Sequence, residues 1–448
     1  MRSQQQRTIR NQRKSIAAMT SISLDVSSAA CNADQNSIGG TGKHQLKARL
    51  RKAERMGQIR AYILIAPLLA FLLFSFLVPI GNLLIKSVHD PLVSQEMPRT
   101  TQALNAWDPK HSEIPGEAAF AALADDLRAG KASAGVTKVA MRLNFENSGM
   151  RSLLIKTARQ LDSADAVDNW QLRLTSIDSR WGEKQAWSAL KRTSSAWTLD
   201  FYLKAFDLER DDSGAIVRQP EDQRVYVDVF VRTVWVGLLV SVLCLVIAYP
   251  VAYFLANIPA KYSNIFMIMV LLPFWTSFLV RSISWMVVLQ SNGILNGLLA
   301  YFGLSDKGLT LIYNRWGVLI SMTHILLPYA ILSLYSVMKS VPAIYMRASR
   351  SLGAGPVLSF WRVYFPHTLP GVAAALLLTF ILAVGYYITP AMLGGPDDQL
   401  VSYYIANHVN TTLNWGLACA LATGLLVGVM CVYAIFSRLT GGSGVKLG

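Results

Sequence analysis

Six long apolar runs leave this chain few folds to adopt. They lie at 61–88, 231–256, 265–289, 317–337, 372–391 and 416–436, and none contains Asp or Glu. A hydrocarbon layer of about 30 Å takes about twenty helical residues to cross, so each run is long enough to span. Only 15% of the residues are charged and 52% are hydrophobic, against about a quarter charged in soluble domains. An all-α membrane protein with six transmembrane helices is expected. Pro67 and Pro79 in the first run do not count against it, because membrane helices tolerate proline.

Charge sets the expected orientation. The net charge is +15, unevenly spread. Residues 1–60 hold twelve Lys/Arg against three Asp/Glu, whereas 90–228 hold eighteen against twenty-one. The basic excess is therefore a tail plus charge flanking the membrane, not a nucleic-acid footprint. Positive charge gathers on the cytoplasmic side, which places residues 1–60 inside as a largely disordered tail ending in a basic amphipathic helix over 45–58. No secretory cleavage pattern follows the early charges, and Met19 or Met56 is an alternative start. The loop 338–370 carries Lys339, Arg347, Arg350 and Arg362, and the C-terminal end carries Arg438 and Lys446. Both termini and that loop are expected in the cytoplasm. The loop 392–414 has Asp397 and Asp398 and no Lys or Arg, as an outer loop should.

The expected domains are a cytoplasmic tail (1–60), a first span (61–88), a periplasmic insertion (89–228), a core of five spans (229–440) holding a cytoplasmic loop (341–370), and a short tail (441–448). The insertion shows helical periodicity over 117–129, 136–161 and 179–191. Trp107, Trp170, Trp181 and Trp187 are expected in its core, with a docking surface as the alternative. Cys31, Cys244, Cys419 and Cys431 have no metal or disulfide spacing and are read as small core residues.

The loop 341–370 carries the most specific pattern. A short helix is expected over 343–352, stopped by Gly353, which accepts the left-handed conformation that ends helices. Pro356 forbids simple continuation. A second piece is expected over 357–364, broken by Pro366, with Pro370 and Gly371 opening the next run. Ala348, Gly353, Ala354, Phe360, Val363, Pro366, Pro370 and Gly371 resemble the EAA loop of permease subunits of bacterial ABC importers. In that family the loop docks on a cytoplasmic ATPase. Here Arg347 stands at the usual Glu position and Ser349 at the second Ala. The resemblance implies an ATPase-coupling role for Arg347, Ala348, Ser349, Gly353, Ala354, Phe360 and Pro366, in a type I importer fold. An ordinary loop with topology-setting arginines is the competing reading.

The third run and its sequel, 272–296, with Pro273, Phe274, Val280, Arg281, Trp285, Gly293 and Asn296, resemble the spermidine/putrescine permease branch of that family. Residues 197–206 resemble the element before its second span. The resemblance covers about 60–90 and 195–440, so 95–193 reads as an insertion into the family's outer loop. It implies a cytoplasmic ABC ATPase dimer, a second permease subunit forming a heterodimer, and a periplasmic substrate-binding protein as partners, in the bacterial inner membrane among lipid.

Passage candidates are Trp275, Arg281, Trp285, Tyr386 and Tyr387. An ionisable residue inside a span is costly and functional by default, and aromatic faces hold ammonium groups. Arg281 snorkelling and aromatics in an interface belt or core remain alternatives. Without a carboxylate in the spans, tight cation binding is expected in the separate binding protein, with Asp397 and Asp398 as candidate contacts for it. No phosphate-binding loop, metal motif or catalytic constellation appears. His367 has no nucleophile or carboxylate at useful spacing. The chain is read as a transport subunit without its own cofactor, with ATP bound by the partner. The lack of repeated halves disfavours a secondary transporter. An opine or amino-acid-derivative permease, or a membrane scaffold or sensor, remains open.

Overall fold

The computed structural model describes residues 41–131, 134–161, 168–211, 214–303 and 309–439. Residues 1–40 of the expected tail over 1–60, and the expected tail over 441–448, with Cys31 and Lys446, lie outside the described residues. The chain divides into a unit ending at Ile80 and one beginning at Gly81. Among the described residues, six helices are long and apolar enough to cross a membrane.

Helix α1 (Thr41–Lys86) runs without a break through Pro67 and Pro79. The expected basic helix over 45–58 and the first span are thus one element. Within the first unit, the side chains from Tyr62 to Ile80 are almost all exposed.

The second unit contains the helical domain expected between the first and second spans. It is built from α2 (Leu92–Glu96), α3 (Pro98–Asn105), α4 (Glu117–Ala129), α5 (Gly135–Glu146), α6 (Met150–Gln160), α7 (Trp170–Ile177) and α8 (Lys184–Ser194). The helical periodicity read over 136–161 is carried by two helices, because Gly149 at φ +91° turns the chain between them. Trp181 and Trp187 are fully buried, Trp107 nearly so, and Trp170 packs on the margin. The Trp187 ring lies 4.5 Å from Phe120 and 5.4 Å from Trp181. Both buried indoles are satisfied, Trp181 donating to Thr157 Oγ1 at 2.8 Å and Trp187 to the Trp181 carbonyl at 2.9 Å. The tryptophans therefore form core rather than a docking face.

The domain opens and closes at one point. Asp90 N–H donates to Ala196 O at 2.8 Å, and Thr198 N–H donates to Val88 O at 2.8 Å. Beyond it come α9 (Asp200–Ala205) and a two-stranded antiparallel ribbon, β1 (Leu208–Arg210) with β2 (Ile216–Arg218), the one sheet among the described residues.

The spanning core follows with α10 (Tyr226–Asn257), α11 (Ala260–Leu271), α12 (Phe278–Leu289), α13 (Ile294–Tyr301), α14 (Arg315–Ser340), α15 (Ala343–Ser351), α16 (Pro356–Ser359), α17 (Phe365–Gly385), α18 (Ile388–Leu393), α19 (Val401–Asn410) and α20 (Trp415–Leu439). Helices α10, α14 and α17 share one core, including Val240, Cys244, Met322, Ile325, Leu334 and Ala375. Gly371 makes this closeness possible, since a Cβ there would lie 2.8 Å from the Val337 Cβ. Cys244 and Cys419 are buried, but Cys431 is exposed, which corrects its reading as a core residue.

The third span departs from expectation. It is not one helix over 265–289 but α11 and α12, separated by a tight turn over Leu272–Trp275. Pro273 brings no N–H to continue the ladder. Ser277 starts a new helix by accepting from Val280 N–H at 3.2 Å. Twelve residues rise only about 18 Å, so neither piece crosses alone. The candidate span here is Phe278–Tyr301, made of α12 and α13.

Candidate functional site

The segment from Pro342 to Gly371 is a short surface helix tied back onto a long one. Helix α15 ends at Leu352, and Gly353 takes φ +88°, the left-handed stop expected of it. The turn is pinned by Ala354 N–H donating to Ser349 O at 3.2 Å and by Ser349 Oγ donating to Ser359 Oγ at 2.9 Å. Ser349, at the position where alanine is usual, thus serves as a bolt between the two helices. Pro366 does not break the chain. A π turn over Phe360–Tyr364 leads directly into α17, giving one candidate span, Pro356–Gly385. A proline ring clashes with the carbonyl four residues earlier, and the wider π turn relieves that conflict at Arg362.

Phe360 points inward. Its ring meets Tyr253 at 5.6 Å and Tyr249 at 6.2 Å, both edge-on, and stacks on Tyr364 at 5.8 Å. Tyr249 also shares a hydrogen bond with Thr368 at 3.0 Å. His367 stacks on Tyr345 at 5.1 Å, tying α15 to α17 a second time. The opposite face is open. Arg347, Ala348, Arg350, Gly353 and Pro366 are exposed, with Ile344 and Leu352 apolar and in the open beside them. Such a helix can accept a push from a partner and pass it to α17 and α10 through side chains already in contact.

The passage candidates do not all meet. Arg281 is 8% exposed, with its guanidinium 4.6 Å above the Phe278 ring. Nη2 donates to Thr276 O at 3.3 Å, while Nε and Nη1 are buried without a hydrogen-bond partner among the described residues. Tyr386 meets the same Phe278 ring at 5.7 Å. Close by, Ser282 and Thr389 share a hydrogen bond at 2.9 Å that joins α12 to α18. Trp285 donates to His324 Nδ1 at 3.1 Å. Trp275 is 81% exposed, and Tyr387 is open as well, so neither belongs to this cluster.

Several residues here were not singled out from the sequence. Tyr249, Tyr253, Ser282, His324 and Thr389 are brought in by packing between distant helices, and their only signal was polarity within apolar runs. Asn296, read from the sequence within the family resemblance, holds the chain after α12 by donating to Gln290 O and Leu309 O and accepting from Leu309 N–H at 2.9 Å. Of the two outer-loop aspartates, Asp397 is exposed, whereas Asp398 is buried and paired with Arg315 at 3.1 Å. Asp398 is a structural latch and not a free contact.

Comparison with known proteins bears on the whole arrangement. Residues 248–440 match the family described as binding-protein-dependent transport system inner membrane component. The chain is similar to the spermidine/putrescine transport system permease protein PotB of Escherichia coli K12, 30% identical over 218 residues, covering 48% of this chain and 79% of that one. It is 32% identical over 213 residues to PotB of Haemophilus influenzae, covering 47% and 74%. It is also 30% identical over 194 residues to the E. coli inner membrane ABC transporter permease protein YdcU, covering 41% and 60%. The matched family region starts at 248, so the helical domain over 91–195 lies outside it. The chain belongs to the binding-protein-dependent inner-membrane permeases, and it is the transmembrane, non-enzymatic subunit of an ABC importer that works with a binding protein and an ATPase.

Proposed function

We propose that this permease imports polyamines such as spermidine and putrescine, taken from a periplasmic binding protein. The names of its relatives support the cargo. The exposed end of α15 supports the drive, because it is bolted through Ser349 and Ser359 to α16, which runs on into α17, and is open to a partner. Two copies of an ATPase bind ATP and close beneath the loop 341–370. A second permease completes the passage. The basic flanks support a cytoplasmic position for both termini and α15, and a periplasmic one for the helical domain. ATP closure moves α15, and the Phe360 contacts with Tyr249 and Tyr253 carry the shift into α17 and α10. Arg281, Trp285 and Tyr386 flank the route, and without carboxylates in the spans the cargo passes without being held tightly.

The test is reconstitution of the full importer in vesicles with labelled spermidine. ATP-dependent accumulation, competed by putrescine, is expected. One observation favours a second reading: among the described residues of the spans, the buried charge is cationic, at Arg281. A cargo bearing a carboxylate beside its amine, such as an opine or amino-acid derivative, would suit it. Uptake of such a compound with no uptake of spermidine would replace the first reading with the second.

A further inference from the structure

We infer that this chain carries a binding site for the phosphate headgroup of an anionic phospholipid, in the cavity between α5, α9 and the start of α20. The cavity is about 420 Å³. Lys86, Lys138, Met141, Phe145, Phe201 and Trp415 line it. The site is independent of the cargo.

Its location comes from the chain's own topology. Lys86 closes the last turn of α1, and Trp415 opens α20. Both are ends of candidate membrane spans, and they meet, with the Lys86 ammonium 5.2 Å from the Trp415 ring centroid. The cavity therefore lies where spanning helices leave the hydrocarbon, the level at which tryptophan and lysine sit in membrane proteins.

Its charge selects an anion. Arg142 is already committed, to Asp90 and to Glu146 at 3.6 Å, with its guanidinium over Phe201 at 4.7 Å. That pairing also neutralises Asp90. Lys86 and Lys138 have no ion-pair partner among the described residues, so two cationic side chains face the cavity uncompensated. Most of its remaining wall is apolar, with His89, Thr412 and Asn414 the polar exceptions, and a free ion would not use that apolar surface. A glycerophosphate headgroup satisfies both, with phosphate between the lysines and glycerol against Met141 and Phe145. A volume of this size holds a headgroup but not a whole lipid.

The rim agrees. Leu413 lines the same cavity, is 57% exposed and takes φ +57°, a left-handed conformation rare for leucine. Non-glycine residues hold that region where surrounding structure enforces it, typically at functional sites. Here the strained turn presents an apolar side chain at the mouth, where acyl chains would leave the cavity.

The test is native mass spectrometry on the full-length chain, delipidated in detergent and titrated with phosphatidylglycerol, phosphatidylcholine and glycerol 3-phosphate. One tightly retained phosphatidylglycerol is expected, with phosphatidylcholine at least about tenfold weaker. At about 1 kcal/mol per basic residue, Lys86→Gln with Lys138→Gln should weaken retention about thirty-fold. Lys138 is exposed on the domain surface, so Lys138→Glu should keep the unfolding temperature and still lose the lipid. Equal retention of the two lipids, or no change in Lys138→Glu, would overturn the site. Displacement of the lipid by glycerol 3-phosphate at comparable concentration would overturn the lipid as ligand in favour of a soluble phosphate.

Discussion

His89 and Trp197 face each other across an antiparallel bridge, their rings 4.7 Å apart, although 107 positions separate them. The bridge is the point through which the helical domain leaves and rejoins the permease. Between the two residues the chain builds its own core around Trp181 and Trp187. The segment 91–195, made alone, should therefore fold and melt cooperatively. Trp187→Ala should cost it about 3–5 kcal/mol, the usual range for emptying a buried aromatic. Circular dichroism on the isolated segment checks this, and a non-cooperative melt for the unsubstituted segment would contradict it.

The same domain should be acid-sensitive through Glu146. Burial raises the carboxyl's pKa, but Lys204, Arg142 and Arg192 outweigh that and hold it below the ordinary value of 4.5. A carboxyl depressed in the folded state binds its proton more readily when unfolded, so its contribution is complete above the unfolded pKa. It is lost as pH falls from about 4.5 through the depressed folded value. Glu146→Gln should lower stability at pH 7 and flatten its dependence on pH below 4.5. Melting curves from pH 3 to 7 decide it: parallel curves for the two proteins would exclude a role for the cluster.

Gly371 and Val337 set how closely α17 approaches α14. Gly371→Leu should cost about 1–3 kcal/mol by overpacking, seen as reduced yield and a lower melting temperature in detergent. Val337→Ala in the same chain should restore much of it. If the second change gives no recovery, the contact is not what limits the approach.

Coupling should depend on Ser349 and on the charge at 347. Ser349→Ala removes a hydrogen bond worth about 1 kcal/mol, too little to unfold the chain. It should lower cargo taken up per ATP hydrolysed while leaving the assembly intact. Arg347→Glu should abolish uptake if the ATPase groove is acidic to match. Unchanged uptake in Arg347→Glu would remove that residue from the docking contact.

The sequence made some of this legible and hid the rest for physical reasons. Gly353 and the short helix before it could be read because a left-handed stop and the residues around it are local. The helical domain could be read because its polarity interrupts the apolar runs. Pro366 was misread as a break because a proline can be absorbed by one widened turn, which depends on where Phe360 and Tyr364 pack. The third span was misread because hydropathy averages over the Pro273–Ser277 interruption. Arg281 could be found as a charge in an apolar run, but its contact with Phe278, and Tyr386 on the same ring, could not.

The bridge at His89 and Trp197 has a mechanical corollary. A domain strung between two separate anchors would stretch the chain when pulled. This one returns to its point of departure, so a shift between parts of the permease cannot stretch it between residues 88 and 198. It acts instead as a lever turning about that point. The turn is resisted where Glu146 grips Lys204 at 3.1 Å, on the short helix that leads to the second span.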